Sequence, residues 1–98
     1  MNNNSPNTFL RIRLKMRQLL LLISLDEQRN IHRAAEALDM TQPAASKQLK
    51  ELEDQLAVRL FDRLPHGMEP TLYGKTMIRQ ARMALISLSL AHEDVTAL

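Results

Sequence analysis

Residues 31–63, IHRAAEALDMTQPAASKQLKELEDQLAVRLFDR, decide the fold of this chain. Apolar residues recur at helical spacing in the first part of the stretch: Ile31, Ala34, Ala35 and Leu38. A second stripe at helical spacing follows: Ala45, Leu49, Leu52 and Leu56. Between them Thr41 can cap the second helix, and Pro43 is tolerated in its first turn, where an N–H has no intrahelical partner. The small alanines allow the two helices to cross closely, so the stretch predicts a helix-turn-helix.

The second helix keeps its polar side chains away from its apolar stripe. Gln42, Ser46 and Lys50 follow one another at i, i+4 and i+8, with Lys47 beside them. Glutamine, serine and lysine side chains can all bond base edges, and the last two also bind phosphate. The acids of this helix lie in its later half, which leaves its dipole-positive start neutral or basic. This pattern favours a helix that enters the major groove of DNA by its N-terminus. Taken by itself, the helix fits equally well an ordinary solvated face.

The elements on either side complete a small domain. A first helix is predicted from about Leu14 to Gln28, with four residues facing the core: Leu19, Leu20, Leu22 and Ile23. Asn30 is a good cap for the helix that follows. Residues 59–64 predict a short strand, residues 65–67 (Pro-His-Gly) a turn, and residues 68–70 a returning strand. Together the two strands form a wing.

The last part of the chain predicts a long helix that pairs with another helix. Thr71 caps it, and it runs from Leu72 to at least His92. Its apolar residues alternate three- and four-residue steps, as in the a/d seam of a coiled coil: Ile78, Ala81, Leu85, Leu88, His92 and Val95. We interpret His92 as a partly exposed packing residue of this seam. The alternative is that the helix folds back on its own domain.

Composition narrows the classes of function. The 98 residues suit one small domain, and the net charge of +2 is small for a nucleic-acid binder, so the distribution of charge matters more. Without cysteine there is no disulfide or thiolate site, and the three histidines lack metal-ligand spacing. The apolar run at residues 19–23 is too short to span a bilayer. With two glycines and no serine beside an activating histidine and acid, we expect no enzyme, no metal and no cofactor.

The segment AAEALDMTQPAASKQLKELEDQLAVRLFDR resembles the LysR-type transcriptional regulators. The resemblance extends from about Met16 to about Arg82, and its most specific pieces are QPAASKQLKELE and RLFDR. It implies a mainly α fold: a flexible basic extension at 1–13, a winged helix-turn-helix of three helices and a two-stranded wing at 14–70, and a dimerising linker helix at 71–98. It further implies a bacterial cytoplasmic protein associated with the nucleoid.

The resemblance also suggests roles for individual residues. Base readout would come from Gln42, Pro43, Ser46 and Lys47 in the major groove, and from Arg63 in the minor groove. Further residues are expected to contact phosphates: Thr41, Lys50, Arg11, Arg13, His32, His66 and Lys75. Contact with solvent is the alternative at His32, and solvation of the turn is the alternative at His66. Where the family usually has glycine after the recognition helix, this chain has Ala57, which must take a left-handed conformation with strain or end the helix differently.

The expected function is sequence-specific binding of double-stranded DNA, as a homodimer on an inverted repeat. Family members normally continue into a domain that senses a small molecule, so we expect this chain to be a fragment without an effector response. We also expect the full-length parent protein to form higher oligomers. Two other classes of function remain possible. A protein-interaction module would show no salt-dependent DNA binding, and a basic protein that coats DNA would bind unrelated duplexes equally.

Overall fold

The described residues, 13–98, form a winged helix-turn-helix with a long C-terminal helix, as predicted. The computed structural model has four helices and two strands over this range: α1 (Met16–Gln28), α2 (Ile31–Ala37), α3 (Gln42–Leu56), β1 (Phe61–Leu64), β2 (Gly67–Pro70) and α4 (Leu72–Thr96). Over residues 13–98 no helix combines the length and the apolar character needed to cross a membrane. Arg11 and the rest of 1–12 lie outside the described residues.

The core-facing side of α1 differs from the predicted one. Residues 18, 21, 22 and 25 are buried, at i, i+3, i+4 and i+7, whereas Leu20 is 37% exposed and Leu19 and Ile23 are only half-buried. Leu22 is buried as predicted, but the other three predicted positions are not, because an unbroken run of leucines does not mark a face and because a glutamine opens the true stripe. Gln18 is buried since its Oε1 accepts a hydrogen bond from the Lys15 backbone N–H (3.0 Å) at the start of the helix.

The helix-turn-helix is held by close packing and by side-chain caps. Ala34 and Ala35 are fully buried, and the Ser24 hydroxyl of α1 donates a hydrogen bond to the Ala34 carbonyl (3.0 Å). The Asn30 side chain accepts a hydrogen bond from a backbone N–H in the first turn of α2. Thr41 does the same for α3 through its Oγ1. Both predicted caps are therefore confirmed.

Ala57 ends α3 in a left-handed conformation, with φ of 57°. Of the two outcomes that the sequence left open, the structure has the strained one. A left-handed conformation costs a non-glycine residue roughly 1–2 kcal/mol. The hydrogen bond from the Val58 N–H to the Glu53 carbonyl (3.2 Å) closes the end of the helix.

The wing is an antiparallel hairpin in which Leu64 pairs with Gly67 across a two-residue turn. Phe61 and Met68 point into the core, and the rest of the two strands is largely exposed. Thr71 then caps α4 by accepting a hydrogen bond from the Gly74 N–H (3.1 Å), as predicted. The first half of α4 packs on α1, and every residue from 86 onward is exposed. The fold therefore presents α3, the wing and the end of α4 on its outside.

Candidate nucleic-acid interface

The N-terminal half of α3 has the features that a base-reading helix needs. Its first turn carries no acidic residue, and Pro43 stands within that turn, so the dipole-positive end of the helix is not neutralised. Pro43 and Lys47 are exposed, and Gln42 and Ser46 are half-buried. The predicted base-reading side chains of this helix therefore share one accessible end of it.

A hydrogen-bond cluster, formed by Gln42, Ser46 and Arg63, joins this helix to the wing. The Gln42 Nε2 donates to the Ser46 Oγ at 2.7 Å, and the Arg63 Nη2 donates to the same oxygen at 3.3 Å. Because both lone pairs of the Ser46 hydroxyl are then used, its own proton remains free to be donated outward. Helical spacing predicts contact between Gln42 and Ser46, but the arrival of Arg63, 17 residues further on, depends on the tertiary fold.

Glu53 fixes the wing strand against α3. Its Oε2 accepts hydrogen bonds from the backbone N–H groups of Leu60 (2.7 Å) and Phe61 (3.3 Å), at the point where β1 begins. Arg63 follows two residues later on the same strand. In the sequence Glu53 is only one of the acids in the later half of α3, because nothing local connects a helical carboxylate with a loop seven residues away.

The residues predicted to contact phosphate are scattered over several elements. Arg13, His32 and Lys75 are exposed, while Arg11 lies outside the described residues. The structure does not join these residues to the cluster, and Thr41 already uses its Oγ1 as the cap of α3.

Two of the predicted phosphate-contacting residues have an acidic neighbour. Lys50 lies 3.5 Å from Asp54, and His66, at the tip of the wing, has its Nε2 3.2 Å from Glu69 Oε1. These exposed pairs are weak, so phosphate can replace the acidic partner at little cost.

A groove of about 660 Å³ lies between α3 and the wing. Apolar Phe61 and Met68 are among its lining residues, together with three cationic side chains, Lys50, Arg59 and Arg63. Arg59 was missed by the sequence analysis as a possible phosphate contact, although it stands at the start of the RLFDR motif. The carboxylates of Glu53 and Asp54 also line the groove, so its cations exceed its acids by one. A groove with a small excess of positive charge beside the predicted base-reading helix is compatible with the passage of a phosphate backbone.

The predicted dimerisation seam needs a correction at its first two positions. Ile78 and Ala81 are buried at 5% and 2% exposure in the core of their own domain, so their side chains are not available to a partner. The first half of α4 packs on α1 through this face, so the predicted seam is already covered there. Further along, Leu85 is half-buried, and the remaining seam residues are exposed: Leu88, His92 and Val95. Within residues 13–98, no group of three or more histidines or acids could hold a metal ion.

Comparison with known proteins identifies the class to which this geometry belongs. Residues 16–75 match the family described as "Bacterial regulatory helix-turn-helix protein, lysR family". A regulator from Azospirillum brasilense, GbpR, is 53% identical over 94% of this chain, and PcaQ from Agrobacterium fabrum is 36% identical over 86% of it. The chain belongs to the lysR family of bacterial regulatory helix-turn-helix proteins.

Solved structures agree with this assignment. A CbnR_DBD–DNA complex matches 86% of this chain and 97% of its own with a TM-score of 0.79 and 31% identity. The BenM_DBD in a complex with benA site 1 DNA has a TM-score of 0.81 over 86% of this chain and 94% of its own, and at 23% identity supports the fold alone. This chain spans about 27% of the length of GbpR and of PcaQ. Its fold is that of the N-terminal DNA-binding domain of LysR-type regulators.

Proposed function

We propose that this chain binds operator DNA in a sequence-specific manner, with the start of α3 in the major groove and the wing in a minor groove. The observation that carries this proposal is the cluster of Gln42, Ser46 and Arg63, which gathers three groups able to bond base edges at the dipole-positive end of a helix. Lys47 is exposed beside it as a fourth candidate. The complex with DNA formed by the CbnR domain is consistent with it.

The proposal extends to a homodimer that forms through the second half of α4. Within residues 13–98 nothing covers this helix from residue 86 onward, and Leu88 and Val95 are 51% and 66% exposed. Exposed apolar residues at seam spacing are stabilised by a second helix. Two copies related by a two-fold axis would place their α3 helices on two inverted half-sites.

For the whole protein we propose a bacterial, cytoplasmic transcriptional regulator that is not an enzyme. The matched relatives carry names of transcriptional regulators, and the described part of this chain corresponds to about a quarter of their length. Phosphate contacts from Lys50, Lys75 and Arg59 would provide affinity and salt dependence, without sequence information. A response to a small molecule would reside outside these 98 residues.

Base readout is tested on a site selected from random duplexes by the wild-type protein. Gln42→Ala and Ser46→Ala should lower the preference for the selected site over scrambled DNA by roughly tenfold or more, since a good base contact contributes about 1–3 kcal/mol. Binding to scrambled DNA should change little. Gln28→Ala and Ser87→Ala remove the same side chains at exposed positions away from the cluster and serve as controls. An unchanged preference in both cluster variants would reject the assignment, and equal wild-type affinity for all duplexes would indicate a protein that coats DNA.

The dimer is tested with a pair of matched leucines on α4. Leu88 and Leu90 are 51% and 54% exposed, and at about 100° per residue they lie on nearly opposite sides of the helix. Leu88→Asp should yield monomers in sedimentation and weaken binding to a full site by roughly two to four orders of magnitude, while half-site binding persists. Leu90→Asp should remain dimeric. The reverse result would assign the interface to the other face of α4.

A further inference from the structure

An ion pair between α1 and α4 lies at the point where α4 leaves the domain. Ala81 is the last fully buried residue of α4, and Arg82 follows it. The Arg82 Nη2 lies 2.9 Å from Asp26 Oδ2, near the end of α1, and its Nη1 lies 3.8 Å from Glu27 Oε2. This contact spans 56 residues of sequence, so it fixes two helices relative to each other.

This ion pair is less exposed to solvent and makes more hydrogen bonds than a common surface ion pair. The Asp26 side chain is only 26% exposed, and both of its oxygens are used, Oδ2 by Arg82 and Oδ1 by Arg29 at 3.1 Å. A charge-assisted hydrogen bond in a partly dehydrated place is stronger and more directional than one in open solvent. Rotation of α4 away from α1 would break it.

The wing is attached to the same corner of the molecule. Arg29 ends α1 in a left-handed conformation, and its carbonyl accepts a hydrogen bond from the backbone N–H of Met68 in β2 (2.9 Å). Met68 is the partner of Arg63 in the hairpin. The direction of α4 and the position of the wing are therefore both set at the end of α1.

A small change in the direction of α4 becomes a large displacement further along it. The 14 residues that follow Arg82, up to the end of the helix at Thr96, extend for about 21 Å, at about 1.5 Å per residue. A tilt of about 10° at Arg82 would move the far end by roughly 4 Å, and one base-pair step rises about 3.4 Å. In a dimer that forms through this part of α4, the direction of each helix decides how far apart the two α3 helices lie.

We propose that the Asp26–Arg82 ion pair determines the spacing between half-sites that the dimer accepts. Arg82 and Asp26 act as positioning residues, since they would set the separation of the base-reading helices without touching a base. The inference rests on the proposed dimeric binding of inverted half-sites.

The test compares duplexes whose two selected half-sites are separated by the preferred spacing or by one base pair more or fewer. In Arg82→Gln, the affinity for the preferred spacing divided by the affinity for an altered spacing should fall at least about threefold. Without the ion pair the direction of α4 is freer, so the dimer adapts to both spacings. Asp26→Asn, which keeps the shape of the side chain, should have the same effect. Arg82→Lys should restore part of the ratio, since its ammonium can still reach Asp26. Arg79→Gln removes the same charge from an exposed position on α4 and should leave the ratio unchanged.

Two further measurements separate the possible results. Affinity for an isolated half-site and sedimentation as a dimer should be the same in wild type, Arg82→Gln and Asp26→Asn. If either variant is dimeric, binds the half-site normally and keeps the wild-type ratio, the ion pair does not set the spacing. If the wild type itself binds paired half-sites no better than one, dimeric recognition fails, and the spacing inference is rejected with it.

Discussion

Replacing Gly74 by alanine should destabilise this domain, although the same change normally stabilises a helix. Gly74 is the third residue of α4 and is buried against the segment that precedes β1. A Cβ at this position would lie 2.0 Å from the carbonyl oxygen of Leu60 and 3.3 Å from the Cβ of Pro70. Helix propensity favours alanine over glycine by about 1 kcal/mol, so the two effects have opposite signs.

The steric effect should be the larger one. The contact with the Leu60 oxygen would be about 1.4 Å shorter than the 3.4 Å at which ordinary contact begins. That oxygen is not free to move away, because it accepts a hydrogen bond from the Thr71 N–H (2.9 Å), and the Leu60 N–H is held by Glu53 (2.7 Å). Overpacking typically costs about 1–3 kcal/mol, and a backbone atom on a fixed loop justifies the upper end. The net loss is then about 2 kcal/mol, once the gain in propensity is subtracted.

Urea unfolding followed by circular dichroism measures this loss at one fixed protein concentration, because dimerisation would otherwise shift the midpoint. Ser87→Ala, at an exposed position on the same helix, should change the free energy of unfolding by less than about 0.5 kcal/mol. If Gly74→Ala is as stable as the wild type, the approach of α4 to Leu60 is looser than described. The start of α4 would then not be fixed against Leu60.

Three other variants test the wing, the end of α3 and the α1–α4 contact. Arg63→Ala should weaken binding most on sites with A·T-rich flanks, because their narrow minor groove attracts arginine. If a competition assay shows an equal loss of affinity on G·C-rich flanks, Arg63 is a phosphate contact only. Ala57→Gly should raise the free energy of unfolding by about 1 kcal/mol, because glycine adopts the left-handed conformation without strain. If that strain is absent, denaturant unfolding will show no gain in stability. Burial raises the pKa of Asp26, but hydrogen bonds and charge from Arg82 and Arg29 outweigh it and hold the pKa below 3.8. The stabilisation by this ion pair is therefore present above pH 3.8 and is lost as pH falls through the lowered pKa. In urea unfolding, the difference in free energy of unfolding between wild type and Asp26→Asn should be constant at neutral pH and shrink in acid.

The parts of the fold that depend on neighbours in sequence were predictable. The caps at Asn30, Thr41 and Thr71 each involve a residue and a backbone N–H three positions later, so a local pattern is sufficient. The turn of the wing depends likewise on adjacent residues with special backbone preferences. The contact between Gln42 and Ser46 follows from helical spacing in the same way.

The parts that depend on distant residues were not predictable. The buried face of α1 could not be chosen within LLLLI, because the leucines differ only in which neighbours they meet after folding. Ile78 and Ala81 fit a seam for a partner and a face for α1 equally well, and only the packed domain decides between them. The contacts of Glu53 with β1 and of Asp26 with Arg82 join residues that no spacing rule connects.

The Gln42–Ser46–Arg63 cluster means that the free protein already supplies hydrogen-bond partners for the groups that we propose to read bases. A base that bonds one of the N–H groups already donated to Ser46 must replace an intramolecular partner rather than water alone. Each such hydrogen bond contributes about 0.5–1.5 kcal/mol net. A DNA sequence that offers no replacement therefore binds less favourably by that amount for every bond it disrupts. Self-association of the side chains thus acts as a competitor for DNA. It lowers the occupancy of unrelated sequences more than that of a site whose bases restore every bond.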